Sequence, residues 1–264
     1  MGKFEKEKEK NKEDTEKKIR DLSAAIKENL SFEYKYGVLS SLPAKISVSK
    51  LYPRVLDGTD DDNADEEISF DVKGKLPSFM SGELENEGAE KGNATHLFLQ
   101  FCDFNNVTEK GIESELKRLT DKKFISDKDA TLIRKEELKR FFNSKLFSDM
   151  REAKRMWKEL RFNAKLPASD FTTDAKRIEA LAGTELLVQG VIDCVYEDKN
   201  GNIVLVDYKT DRVHKDRKEA RKILVDRHSS QLLNYAKVCV KMFGRYPEKV
   251  LIYSLAMSES ISVI

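Results

Sequence analysis

The chain has no run of about 18 apolar residues, and its N-terminus is charged rather than apolar. A membrane-spanning helix and a secretory signal are therefore not expected, and the sequence reads as cytoplasmic. Cysteine is scarce: Cys102, Cys194 and Cys239 stand far apart and form no C-x-x-C pair. Neither a disulfide framework nor a zinc or iron–sulfur site is expected, and the three read as small buried hydrophobes in a reducing compartment. An excess of one sign of charge is also missing. With 48 Lys and Arg against 47 Asp and Glu, the formal net charge is +1. No chain-wide attraction to nucleic acid follows from that total, so any basic surface must be local. No G-x-x-x-x-G-K-[ST] loop occurs, so no ATP site is expected in these residues.

What is present is charge itself, at 36% of residues against 39% hydrophobic, and it is unevenly spread over 264 residues. That length suits one large domain, with or without an appendage. The first twenty residues are mostly Lys, Glu, Asp and Asn, which form either a solvated helix or a disordered segment. Ile19, Leu22, Ala25 and Ile26 then recur at helical spacing, predicting a helix over roughly 15–30. Residues 1–42 read as a charged helical or flexible segment and 43–264 as the main domain. Within the latter, 57-DGTDDDNADEE-67 carries seven acids and no base, which cannot bury apolar area and predicts a loop. The stretch 81–93 is read as surface, rich in turn residues and acids.

From residue 93 the pattern tightens. Helices are predicted from Ala94 or Thr95 through Phe101, over 108–120 with Thr108 as N-cap, from Ser126 to about Asn143, and over about 145–153. Strands are predicted at 158–167, 187–197 and 202–209, the last two joined by an Asn200-Gly201 hairpin. A basic helix over 215–225, an amphipathic helix over 230–244, and strands at 248–256 and 259–264 complete the order. Helices, three strands, helices and strands again indicate an α/β domain with a mixed sheet.

One stretch stands out. In 202-NIVLVDYKTDRV-213 an apolar run, Ile203–Val206, ends in Asp207, Tyr208 and Lys209. Alternation along a strand puts Asp207 and Lys209 on one face and Tyr208 on the other. Asp193 lies in an equally apolar stretch across the hairpin. In a strict two-residue turn, paired positions sum to 401, and Asp193 then faces Tyr208, with the two aspartates on opposite faces. A bulge or a one-residue shift instead brings Asp193 opposite Asp207. Spacing alone leaves both registers open. If the carboxylates converge, they repel, and a hard divalent cation resolves the conflict. Such an ion activates a water against phosphodiesters, with a lysine to steady developing charge. The bland alternative is an Asp–Lys ion pair at a strand end.

Taken together, these residues resemble a known family. G-V-I-D-C followed by V-L-V-D-Y-K-T-D is similar to the active-site core of the PD-(D/E)xK nucleases, specifically the RecB-type branch, with G-x-x-D, a short hairpin, then D-Y-K-T. Downstream, 231-QLLNY-235 matches its Q-x-x-x-Y element. Upstream, 92-GNATHLFLQFCDF-104 resembles its G-T-x-x-H helix, with Asn93 in place of the threonine and the spacing to His96 intact. Residues 43-PAKISVSKL-51 and the run 159-ELRFNAKLPAS-169, similar to an E-x-x-F strand, extend the resemblance to AddA (RexA) helicase–nuclease subunits.

The resemblance implies a restriction-endonuclease-like core, a mixed central sheet flanked by helices, plus helical N-terminal additions. It implies that the two aspartates meet, that His96, Asp193 and Asp207 ligate Mg²⁺ with the Tyr208 carbonyl, and that Lys209 assists the water or the transition state. Gln231 and Tyr235 are implied to orient the site or to touch the DNA backbone. Further implications are an exonuclease acting on DNA in double-strand break repair and recombination, a partner of AddB (RexB) type, a helicase portion of the same parent polypeptide outside this chain, and a short tail beyond Ile264. The rival expectation is a catalytically silent RecB-like DNA-binding or scaffolding module. Glu159 is read as a surface or supporting carboxylate, and His214 and His228 are given no catalytic role. The cluster 209–222 meets phosphates or is a solvated face.

Overall fold

The computed structural model describes Leu42, residues 45–47 and residues 83–264, with the backbone alone for 83–87 and 89. The expectations for the N-terminal segment, its helix and the acidic loop at 57–67 lie outside the described residues. The described elements fall within Pro43–Ile264.

Short strand β1 (Lys45–Ser47) is followed, beyond the gap, by five helices: α1 (Glu83–Phe101), α2 (Phe104–Asp121), α3 (Asp127–Leu132), α4 (Lys135–Phe142) and α5 (Lys145–Arg151). Strand β2 (Arg155–Pro167), a 3₁₀ turn at Ala168–Phe171 and helix α6 (Ala175–Ala180) lead to β3 (Glu185–Glu197) and β4 (Ile203–Lys209). Helix α7 (Arg217–Phe243) crosses to β5 (Lys249–Ser254), and β6 (Glu259–Ser262) closes the order. The sheet runs β1-β3-β4-β5-β6, with β2 paired to β3 along nearly all its length. It is mixed: β1 with β3 and β4 with β5 are parallel, and the other pairings are antiparallel.

Several helix boundaries differ from expectation for local reasons. Helix α1 starts eleven residues before Ala94, so the stretch read as surface loop is helical from Glu83. Its glycines and acids weaken but do not forbid a helix that docks one buried face. Helix α2 begins at Phe104, because Asp103 rather than Thr108 caps it, accepting from the backbone N–H of Asn105 and Asn106. Ser126 caps α3 as expected, in a capping box with Asp129. The run to Asn143, however, breaks at Ile133 and Arg134 into two helices. The two helices expected over 215–244 are one 27-residue helix, capped by Asp216 and ended by Gly244 in the left-handed region (φ 73°).

The core sits between the sheet and α1, α2, α4 and α5. Phe98, Leu119, Leu138, Phe141 and Met150 pack there with Cys194, Val204, Val206, Tyr208 and Tyr253 of the strands. Phe141 meets Tyr208 and Tyr253 edge-on at ring centroids of 5.5 and 4.9 Å. Ile203 and Leu205, which alternate with those β4 residues, are also buried, so β4 is covered on both faces, as a central strand of an α/β sheet is. Helix α7 contributes Leu224, Leu232, Tyr235 and Ala236 to the buried set.

Candidate metal centre

The hairpin joining β3 to β4 decides the site. Its paired positions, Cys194 with Val206 through Glu197 with Ile203, sum to 400 rather than 401. Asn200-Gly201 is not the centre of a two-residue turn. Asp198 N–H donates to the Asn202 carbonyl, Gly201 N–H donates to the Asp198 carbonyl, and Gly201 takes φ 90°. The loop is thus three residues, Lys199 to Gly201, with glycine in the position that must be left-handed. The Asp198 carboxylate accepts from the N–H groups of Asn200 and Asn202 and locks the turn. The single-residue change in loop length carries Asp193 to the position opposite Asp207. This selects the shifted register of the two that spacing left open.

Asp193 then accepts a 2.8 Å hydrogen bond from the Tyr208 backbone N–H, and its other oxygen lies 3.5 Å from His96 Nδ1. Asp207 is 2% exposed. Its Oδ2 has Lys209 Nζ at 2.7 Å, yet makes no hydrogen bond of acceptable angle; the contact is an ion pair and not a directed bond. Burial first, and then repulsion from Asp193, push the Asp207 carboxyl up to about 6, against the opposing pull of Lys209 and His96. Lys209 is held above its ordinary value: burial alone would lower it, but Asp207 and Asp193 outweigh that. His96 is likewise raised, its burial being outweighed by Asp193 and Asp207. The Tyr208 side chain points the other way into the core, beside Phe141 and 4.0 Å from Met150 Sδ, so only its backbone belongs to the site.

Glu159 belongs to this cluster more closely than its sequence context suggests. Its place on β2 falls between Lys158, paired with Cys194, and Leu160, paired with Ile192, directly across from Asp193. Its backbone is left-handed, at φ 48° inside a strand, a conformation that costs energy for a residue with a side chain and that collects at functional sites. Ligand atoms of His96, Glu159 and Asp193 lie within 4.8 Å of one another. The reading of Glu159 as a surface carboxylate is superseded by this placement. A pairing irregularity opposite Asp193 leaves no signature in sequence.

Helix α7 completes the surroundings. Gln231 Nε2 donates to the Tyr235 hydroxyl at 2.9 Å, as the i,i+4 spacing allows. Tyr235 is buried and packs edge-on against Phe162. Burial chiefly, and then Asp207, raise its hydroxyl far above the ordinary range. One turn earlier, His228 Nε2 lies 3.1 Å from Asp211 Oδ2, tying α7 to the segment that follows Lys209. His214 has no place in the cluster. Of the basic stretch 209–222, Arg212 is paired with Glu137, and Arg217 and Arg221 with Glu259. Much of that charge therefore braces α7 against α4 and β6.

The donors suit a hard divalent cation: two or three carboxylates and one imidazole, with a buried carboxylate oxygen lacking a hydrogen bond and two like charges that ordinary packing would not bring together. The family model of the PD-(D/E)XK nuclease superfamily matches residues 73–260. The chain belongs to that superfamily. The nuclease fold expected from the motifs is the fold observed, a six-stranded mixed sheet flanked by helices. Relatives of this superfamily member include an ATP-dependent helicase/nuclease of Clostridium botulinum (strain Loch Maree / Type A3), 28% identical over 239 residues, covering 90% of this chain and 18% of that protein. The same-named protein of Acetivibrio thermocellus is 32% identical over 224 residues, covering 85% of this chain and 17% of its own length. The chain thus spans less than a fifth of these relatives. A solved structure, that of SSO0001, covers 65% of this chain at 15% identity and a TM-score of 0.25, too distant a likeness to bear on the site. Among the described residues no helix is long and apolar enough to cross a membrane.

Proposed function

We propose that this chain is the Mg²⁺-dependent deoxyribonuclease domain of an AddA-like helicase–nuclease, cutting phosphodiesters exonucleolytically during double-strand break repair and recombination. The observation that carries the reading is the convergence of Asp193, Asp207, His96 and Glu159 beside Lys209, which a purely structural ion pair does not require. His96, Asp193, Asp207 and the Tyr208 carbonyl would hold the ion, with Glu159 added by its place in the cluster. Bound there, the ion supplies Lewis-acid polarisation of a phosphate oxygen and a lowered pKa for a water. The chain's own residues do the rest. Asp207, raised to about 6, is ionised at neutral pH and available as a ligand. Lys209, kept protonated by both aspartates, offers its ammonium to charge developing on the phosphate. Gln231 and Tyr235 orient this wall of the site or touch the DNA backbone.

The relatives' name, which includes a helicase, supports a motor in the same parent polypeptide, and the resemblance supports an AddB-type partner and a cytoplasmic setting. Retention of every proposed ligand together with Lys209 speaks against the catalytically silent scaffold. The test is cleavage of linear DNA with Mg²⁺ by the assembled complex, comparing wild type with Asp207→Ala and Lys209→Ala. The expected result is metal-dependent degradation that both substitutions reduce by about 10³-fold or more. Equal cutting by wild type and variants would overturn the reading.

A further inference from the structure

Helix α1 carries His96, and four residues earlier, on the same face, it carries Gly92. Gly92 is buried within the helix, where glycine is a poor choice on propensity grounds. The reason lies across the gap: a Cβ built on Gly92 would sit 3.0 Å from Thr210 Oγ1. Thr210 directly follows Lys209. Gly88, one turn earlier in α1, has nothing within 4 Å of such a Cβ. The close approach is therefore confined to one turn of the helix. At that turn α1 rests on the end of β4, and one turn later His96 meets Asp193 at the end of β3. Helix α1 thus lies across both strand ends, with the naked backbone of Gly92 as its point of contact.

We propose that Gly92 is a positioning residue, whose missing side chain sets how closely α1 approaches β4 and thereby holds His96 over Asp193. A methyl group at 92 must displace either Thr210, and with it the segment after Lys209, or the helix itself. Either movement opens the contact between His96 and the carboxylates without removing any ligand. The inference rests on the metal reading only where metal binding is its readout.

The test is a double-mutant cycle in the full 264-residue chain: Gly92→Ala, Thr210→Ala, the two combined, and Gly88→Ala as control. Thermal unfolding and Mn²⁺ binding by calorimetry are measured for each. Gly92→Ala alone should lower Tm. In the Thr210→Ala background, where the contact is gone, the same change should raise Tm by about 2–4 °C, because alanine favours the helix. Mn²⁺ affinity should fall roughly tenfold in Gly92→Ala and return in the double variant to that of Thr210→Ala. Gly88→Ala should leave it unchanged. Equal Tm shifts in the two backgrounds, or wild-type Mn²⁺ affinity in Gly92→Ala, would overturn the proposal. If the wild-type chain takes up no Mn²⁺, the metal reading fails. The unfolding cycle then decides for Gly92 alone: a reversal of sign supports the close approach, and additivity overturns it.

Discussion

Asp207 shows what the site costs the fold. Its carboxyl is raised in the folded chain from an ordinary 3.8 to about 6, because it is buried and faces Asp193. A group whose folded pKa lies above its unfolded value binds more protons when folded. Its favourable contribution is therefore present at low pH and lost as pH rises through the window from about 4 to 6. Metal-free Asp207→Asn should accordingly be more stable than wild type at pH 7, by about 1–3 kcal/mol, with the difference vanishing below about pH 4. Denaturant unfolding at the two pH values measures this, and a destabilised variant at pH 7 would count against the burial argument. Glu159 gives a second prediction at this scale. Glu159→Gln should weaken Mn²⁺ binding at least about tenfold while leaving the fold intact, read by calorimetry together with circular dichroism. Asp193, Asp207, His96, Lys209, Gln231 and Tyr235 are legible in the sequence as residue types at fixed spacing. Glu159 is not, since its role depends on a left-handed backbone and on a partner in another strand, Asp193. Nor is the place of His228, whose partner Asp211 lies beyond the start of α7.

Among elements, the β3–β4 hairpin matters most. The sequence announces a turn at Asn200-Gly201 but leaves its length open between two and three residues. That one residue decides whether the aspartates share a face. The hydrogen bonds of Asp198 settle it at three. Deleting Lys199 would leave a two-residue Asn-Gly loop that still pairs Asp198 with Asn202 and preserves every pairing beyond. The deletion variant should therefore keep its Mn²⁺ affinity and change stability by no more than about 1 kcal/mol. Loss of Mn²⁺ binding would show that the loop does more than set register. Helix ends are hardest to read where a single cap decides them. Asp103 starts α2 earlier than Thr108 would, and nothing between 225 and 230 breaks α7, so one helix carries His228, Gln231 and Tyr235 past the site.

Over the whole molecule, the helical layer that delivers His96 depends on a buried charge. Glu115 is fully buried. It accepts from the Asp103 backbone N–H at 2.6 Å, from Asn106 at 2.5 Å and from Arg118, which also caps the Phe101 carbonyl at the end of α1. Burial alone would raise its pKa, but Arg118, Asp103 and Asn106 outweigh it and hold the carboxyl low. A depressed folded pKa contributes stability above the ordinary carboxylate range, and that stability is lost as pH falls through and below it. Glu115→Gln should cost about 2 kcal/mol or more at pH 7, with the gap to wild type narrowing as pH drops below about 4.5, followed by unfolding across that range. The α/β class, the strand-rich second half and the nuclease motifs can be read from the sequence because they rest on periodicity and short-range spacing. This network cannot, because it joins α1 to α2 through a carboxylate that looks like an ordinary exposed helix residue.

The central claim is that residues from α1, β2, β3 and β4 form one divalent-cation site. Anomalous diffraction from crystals of this chain soaked in Mn²⁺ tests it most directly. The account predicts a single strong peak, or a close pair, bounded by His96, Glu159, Asp193 and Asp207. No peak there, or manganese held only elsewhere on the molecule, would contradict it.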